Sequence, residues 1–246
     1  MRFFCRLVAL LVFPAAAAAQ IILPEEEVLL GAALRTRPAY DGSGEQRADL
    51  IPLIRYYGKP LFARTTQGVL EGGARWPLTP ALHLGAQLAY EEGREQSESD
   101  LLKMLNTPDL DPGASYGAHL EWDMKLGPAP ASLLGRWRQH ADSERGAQAD
   151  LRFNLGVYGS RGIILALYAQ ATWANAESIR SFYLVDDADS GLLHSSLGAL
   201  GSYDLSRHWL LVFGLQFRRL HGDATRSPIV EEKNAVYANA GVAYRF

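Results

Sequence analysis

Along most of this chain apolar and polar residues alternate one for one. From Leu82 to Tyr90, Leu82, Leu84, Ala86, Leu88 and Tyr90 share one side, opposed by His83, Gly85 and Gln87. From Ser115 to Leu126, Tyr116, Ala118, Leu120, Trp122, Met124 and Leu126 oppose His119, Glu121, Asp123 and Lys125. Leu151, Phe153, Leu155 and Val157 likewise oppose Asp150, Arg152 and Asn154, and Trp209, Leu211, Phe213, Leu215 and Phe217 oppose Gly214, Gln216 and Arg218. Successive residues of a strand point to opposite faces, so each segment has one apolar face and one polar, glycine-rich face. The pattern predicts twelve strands, at 28–37, 48–57, 60–66, 69–76, 81–91, 114–126, 131–140, 149–159, 162–173, 192–203, 208–220 and 234–246. Only 58–76, where the connection at Gln67-Gly68 is short, leaves the count open between ten and twelve.

A soluble sandwich alternates too, with its apolar faces turned inward. Three features point instead to a membrane barrel. Most segments run to about ten residues or more, the length a tilted strand needs to cross a bilayer. Aromatic residues collect at strand ends (Trp76, Tyr90, Trp122, Trp137, Trp173, Tyr203, Trp209, Phe217, Tyr244 and Phe246), where rings prefer the membrane–water interface. The connections alternate between short and long. Gly58-Lys59, 77–80, 127–130, Ser160-Arg161 and 204–207 are tight, whereas 41–47, 92–113, 141–147, 175–191 and 221–233 are long and polar. The expected fold is all-β: a transmembrane, antiparallel, up-and-down β-barrel of about twelve strands, with short periplasmic turns and longer extracellular loops. No segment after residue 20 reaches the ~20 apolar residues of a spanning helix.

The strand register places Glu71, Arg75, His83, Gln87, His119, Glu121, Asp123, Arg136, Arg138, Arg152, Asn154, Gln216, Arg218 and Arg245 toward the lumen, where charges are expected to pair across strands. Inward Gly85, Gly117, Gly156, Gly198, Gly214 and Gly241 would leave room. At the C-terminus Val242, Tyr244 and Phe246 form an apolar stripe. A terminal aromatic on a lipid-facing last strand looks like the signal read by the barrel assembly machinery.

The first nineteen residues carry Arg2 and Arg6, an uncharged run from Leu7, and a small-residue end at Ala17-Ala18-Ala19, the pattern of a secretory signal peptide. The expected organisation is therefore a signal peptide at 1–19, a short periplasmic segment at 20–27, and one outer-membrane barrel from 28 to 246. Cleavage would remove Cys5, the only cysteine, which excludes a disulfide framework or a cysteine-rich metal centre. With 48% apolar and 21% charged residues and a formal charge of -3, the chain is neither disordered nor a basic nucleic-acid binder.

Enzymatic motifs are lacking: there is no phosphate loop, dinucleotide turn, HExxH or GxSxG. His119, Glu121 and Asp123 at alternate positions suggest either a metal or acid–base cluster or a paired charged lumen, and the latter is the expectation. His194-Ser195-Ser196 places histidine beside serine, but strand neighbours face opposite ways. Asp186, Asp187 and Asp189 read as a solvated loop rather than a cation site, and 41–44 as a turn rather than a carbohydrate site. No catalytic, cofactor or metal residues are assigned.

Several short motifs, in order, resemble the MipA/OmpV family of Gram-negative outer-membrane proteins. They are Gly31 with Pro38-Ala39-Tyr40-Asp41-Gly42-Ser43; Pro52 with Tyr56-Tyr57-Gly58; Gly93-Arg94 with Ser97, Ser99-Asp100 and Leu101-Leu102; His221-Gly222-Asp223-Ala224 with Ser227-Pro228-Ile229-Val230; and the ending Tyr244-Arg245-Phe246. Pro60 and Arg64 depart from it, in a region usually more aromatic. The resemblance implies a non-enzymatic scaffold linking a membrane-bound lytic transglycosylase to a bifunctional penicillin-binding protein. Other members are porin-like or adhesive, so a small-solute channel and a surface adhesin using 92–113 and 175–191 stay open beside it. Outer-membrane lipid and the assembly machinery are the further expected partners.

Overall fold

A computed structural model describes residues 28–66, 68–160 and 162–246. The expected signal peptide at 1–19 and the expected periplasmic segment at 20–27 lie outside the described residues. Those described form twelve antiparallel strands in one closed ring: β1 (Leu29–Pro38), β2 (Gln46–Tyr57), β3 (Leu61–Thr66), β4 (Val69–Thr79), β5 (Leu82–Glu91), β6 (Gly113–Leu126), β7 (Ala129–His140), β8 (Ala147–Ser160), β9 (Ile163–Ala174), β10 (Gly191–Asp204), β11 (Trp209–Leu220) and β12 (Asn234–Arg245). Each bound lies within two or three residues of the alternation pattern, and the segment at 58–76 resolves as two strands.

Neighbours pair in chain order, and β1 closes on β12 from Leu29↔Arg245 to Thr36↔Ala238. No helix among the described residues is long and apolar enough to cross a membrane; the strands are the spanning elements. In hydrocarbon an unpaired N–H or C=O costs several kcal/mol, and closure removes the two sheet edges. The outer wall is correspondingly greasy. Leu30, Leu34, Leu50, Leu88, Leu120, Leu167 and Leu197 stand exposed on it, all on the lipid-facing parity of their strands. Aromatic residues mark its two ends, with Trp76, Trp122, Tyr203, Trp209 and Phe246 toward the short turns and Tyr90, Tyr116, Trp137 and Trp173 toward the long loops.

The seam between β2 and β3 is the thinnest part of the ring. Only Arg55↔Arg64, Tyr56↔Ala63 and Tyr57↔Phe62 pair there among the described residues, although all six residues of β3 pair with β4 on its other side. The upper part of β2 pairs with β1 alone. Pro52 falls in that stretch, where a missing ladder donor is best tolerated.

The long loops are folded rather than open. Two short helices, α1 (Asp100–Met104) and α2 (Ala176–Tyr183), sit over the extracellular end. Ser99 caps α1, its side chain accepting from the Leu101 amide, and Asn175 caps α2 by accepting from Ser178. The buried face of α2 presents Ile179 and Tyr183 to Val185, Ala188, Leu193, Leu220 and Ala224. Leu102 of α1, wholly buried, packs with Ala39, Tyr40 and Ile229. Segments from four loops thus share two small apolar cores.

At the β1–β12 seam glycine is required by close approach. A Cβ on Gly31 would stand 2.1 Å from the Val242 carbonyl oxygen, whereas one on Gly191 meets nothing within 4 Å. Gly31→Val is therefore expected to abolish the heat-modifiable folded band on an electrophoretic gel, and Gly191→Val to leave it intact; equal bands would remove the steric account of the seam.

Candidate functional site

The interior falls into three levels. At mid-height, Arg136 on β7 bridges two carboxylates, Asp150 on the adjoining β8 and Glu71 on β4 three strands away. Its Nε and Nη2 donate to Asp150 Oδ2 at 2.9 and 2.7 Å, and its Nη1 donates to Glu71 Oε2 at 3.0 Å. Glu71 also accepts from Arg64 Nε and Thr66 Oγ1, both at 2.6 Å, and from Gln87 Nε2 at 3.2 Å. Asp150 accepts from Thr172 Oγ1 at 2.7 Å and Gln170 Nε2 at 3.1 Å, with Arg138 at 3.6 Å. Each carboxylate is thus nearly saturated with donors, the condition under which charges tolerate burial. Glu71 is 1% and Arg136 9% exposed, although both point into the lumen. The bore is packed at this level.

The space at two of the inward glycines is filled by neighbouring rings, whereas Gly156 lines the cavity below. A Cβ on Gly85 would meet the His119 ring at 2.3 Å, and one on Gly198 the Tyr168 ring at 2.4 Å. Gly85 and Gly198 are seats for rings that help fill the plug. His119 Nδ1 lies 2.9 Å from Gln87 Oε1 and its ring meets the Phe62 ring edge-on, while Arg152 lies 3.8 Å over Tyr168 and donates to Asn154.

Below the plug, a cavity of about 530 Å³ reaches the β6–β7 turn at Pro128. Arg55, Arg75, Glu121, Asp123, Asn154 and Asn239 line it, together with Leu29, Leu53 and Val212. Arg75 stands 3.6 Å from Glu121 and 4.7 Å from the Tyr57 ring. At the same end Arg245 donates to Asp204 at 3.0 Å.

Above the plug the loop cap is tied to the wall by buried polar contacts. Asp41, from the β1–β2 loop, bonds His194 of β10 and accepts from the Tyr183 hydroxyl of α2; Arg218 is 3.8 Å away and stacks on Tyr237 at 4.5 Å. Arg94 donates to the Phe182 carbonyl at 2.7 Å, and Tyr40 to that of Ile229 at 2.8 Å. Burial would raise the Asp41 carboxyl, but His194, with Arg218 and the Tyr183 hydroxyl, holds it below the ordinary carboxylate range. At the rim, Arg35 and Arg37 both pair with Asp49 and Glu92.

The residues assigned to the lumen from sequence thus occupy different levels. Glu71, Gln87, His119, Arg136, Arg138 and Arg152 meet in the plug. Arg75, Glu121, Asp123 and Asn154 reach the lower cavity, and Arg245 its rim. Gln216 bonds Ser196 at 3.0 Å, Arg218 joins the cap, and buried His83 pairs in register with Glu121. His119 contacts Gln87 and Glu121 faces Arg75, and among the described residues no cluster of three or more His, Cys, Asp or Glu is placed to hold a metal. The His194-Ser195-Ser196 neighbours face alternately: His194 and Ser196 inward, Ser195 outward. In the acidic loop, Asp187 pairs with Arg226.

Arg64, Asp150, Thr172 and Tyr168 complete the plug but were not singled out. Parity would have found Asp150, which shares a face with Arg152 and Asn154. Arg64 lies in a strand too short for a clear period.

A closed, lipid-facing, antiparallel ring with a polar interior defines the class: this is an outer-membrane β-barrel protein. The family model for MltA-interacting protein MipA matches residues 30–246, and the chain belongs to that family. Among solved structures, its fold is similar to the NanC porin (TM-score 0.54, 9% identity, covering 89% of this chain and 100% of that one). It is also similar to the translocator domain of autotransporter NalP from Neisseria meningitidis (TM-score 0.50, 10% identity, 90% and 88%). At such identity the likeness is one of fold. No curated protein sequence matches the chain.

Two outcomes follow. Arg136→Met leaves Glu71 and Asp150 facing each other without their shared cation, and is expected to cost about 3–5 kcal/mol in urea titration of the vesicle-embedded barrel; a loss below 1 kcal/mol would show that the bridge is not needed. For the cap, the depressed Asp41 carboxyl contributes stability that is complete above its unfolded value, about 4, and is lost as pH falls below it. Loop amides should therefore have lower protection factors against deuterium exchange, each rate corrected for intrinsic exchange at its pH, at pH 3 than at pH 6, and Asp41→Asn should bring the pH 6 protection down to the lower value; unchanged pH 6 protection in that variant would assign the effect elsewhere.

Proposed function

We propose that this protein is a non-enzymatic, non-conducting scaffold that holds a murein lytic transglycosylase at its periplasmic mouth and brings it near a bifunctional penicillin-binding protein. The family's name, MltA-interacting protein, motivates the first partner. The packed Glu71–Arg136–Asp150 level carries the choice of scaffold over pore, since a lumen whose charges are inaccessible to water offers solutes no continuous path. The folded loop cap supports the same reading.

Short periplasmic turns alone offer little of the ~800 Å² per partner that a stable complex uses. The lower cavity supplies the missing concave surface, with apolar walls and a few charged groups for register. A partner segment entering it would meet Arg75, Glu121 and Asp123, which favours a mixed-charge peptide over a uniformly charged one.

Pull-down from detergent on an immobilised lytic transglycosylase tests the proposal. The wild-type barrel should be retained above an unrelated barrel, and Asn239→Trp, which fills the cavity, should lose retention while remaining heat-modifiable. Retention no better than the unrelated barrel rejects it. In planar bilayers the pure protein should give no conductance steps; discrete steps from wild type would return the small-solute channel to first place.

A further inference from the structure

One part of the outer wall differs from the rest. Reading across β8 to β12 in register, the outward residues Leu151, Ala171, Ser195, Arg219 and Asn234 stand side by side. Immediately below them run Leu133, Phe153, Ala169, Leu197, Phe217 and Val236. Small residues in the middle and large ones at the flanks make a lipid-facing groove of about 810 Å³.

The upper row is polar at one end. Arg219 is exposed on the lipid-facing side of β11, and no carboxylate pairs with it among the described residues. Its register neighbours are Ser195 and Asn234, neither charged. Ser195 Oγ and His221 Nε2 lie 2.7 Å apart, so that hydroxyl is already engaged. Burial, followed by the charge of Arg219, lowers the His221 pKa. Arg219 and Asn234 lie within one residue of the extracellular ends of β11 and β12, the end that Trp137 and Trp173 mark on β7 and β9, which sets the polar end of the row at the headgroup level of the outer leaflet. A guanidinium on a membrane-facing wall is costly unless an anion meets it, and a phosphate matches its fork. The groove spans six strands, roughly 24 Å at the usual strand spacing, wider than the two chains of a glycerophospholipid.

We propose that this groove is a binding site for a phosphorylated, multiply acylated disaccharide of the outer leaflet, of the lipid A type. Its acyl chains would lie over Ala169 and Ala171 between Phe153 and Phe217, and one phosphate would rest on Arg219 with Asn234 beside it. The site is independent of the bore and of any periplasmic partner.

Native mass spectrometry of the delipidated full barrel tests this, with diphosphoryl lipid A, its dephosphorylated form and phosphatidylglycerol offered separately. Diphosphoryl lipid A should be retained best. Arg219→Gln should retain it about tenfold less, the usual worth of a lost charge-assisted contact. Ala171→Leu, which fills the groove floor without touching charge, should weaken all acylated lipids alike. Heat-modifiable mobility checks that both variants fold. Equal retention by wild type and Arg219→Gln, equal retention of phosphatidylglycerol, or no retention by wild type overturns the assignment.

Discussion

Everything in this molecule follows from the cost of a bare peptide group in hydrocarbon. A strand crossing a bilayer must satisfy its N–H and C=O groups on both sides, and only a closed ring does that for every strand. Closure then divides the side chains by parity. One set meets lipid and must be apolar; the other meets a narrow interior and is free to be polar. The alternation of the sequence and the charge of the bore are two results of one constraint.

A narrow polar interior brings its own problem. Twelve strands make a lumen too small to hydrate many charges fully and too large to be closed by aliphatic side chains alone. The chain meets this by filling the bore with a carboxylate–guanidinium–carboxylate bridge, Glu71–Arg136–Asp150, that joins β4 to β7 and β8, and by seating the His119 and Tyr168 rings on glycines. Losing Arg136 leaves Glu71 and Asp150 buried with fewer donors and without the cation they share, so the arrangement holds as a set. It also separates the molecule into an outward end closed by folded loops and an inward end with an open cavity.

The ring was legible in the sequence because parity and turn spacing are local. Strand bounds, the alternation of short and long connections and the inward parity of Glu71, Arg136 and Arg152 could all be read from neighbours a few residues apart. What meets across the bore could not, because Glu71 and Arg136 are brought together by closure and not by spacing. Inward glycines illustrate this: Gly85 reads as vacancy from its own strand, and only the register with β6 shows that the His119 ring occupies the place. The cap was hidden for a different reason. Its two helices are short, and their apolar residues are distributed over four loops, so no single loop looks like a core. Ser195 and His221 show the same limit, since His194 is the nearer histidine in sequence yet His221 is the one that reaches it.

The seam between β2 and β3 gives the cylinder a built-in line of weakness. Three rungs hold it where neighbouring joints have many more, and above them the ends are fastened by side-chain ion pairs among Arg35, Arg37, Asp49 and Glu92 instead of by the backbone. A rupture there would expose two ribbon edges without disturbing the rest of the circumference. If the wall ever parts sideways under tension or heat, the fracture starts at this joint, and the small β3 hairpin acts as its hinge leaf.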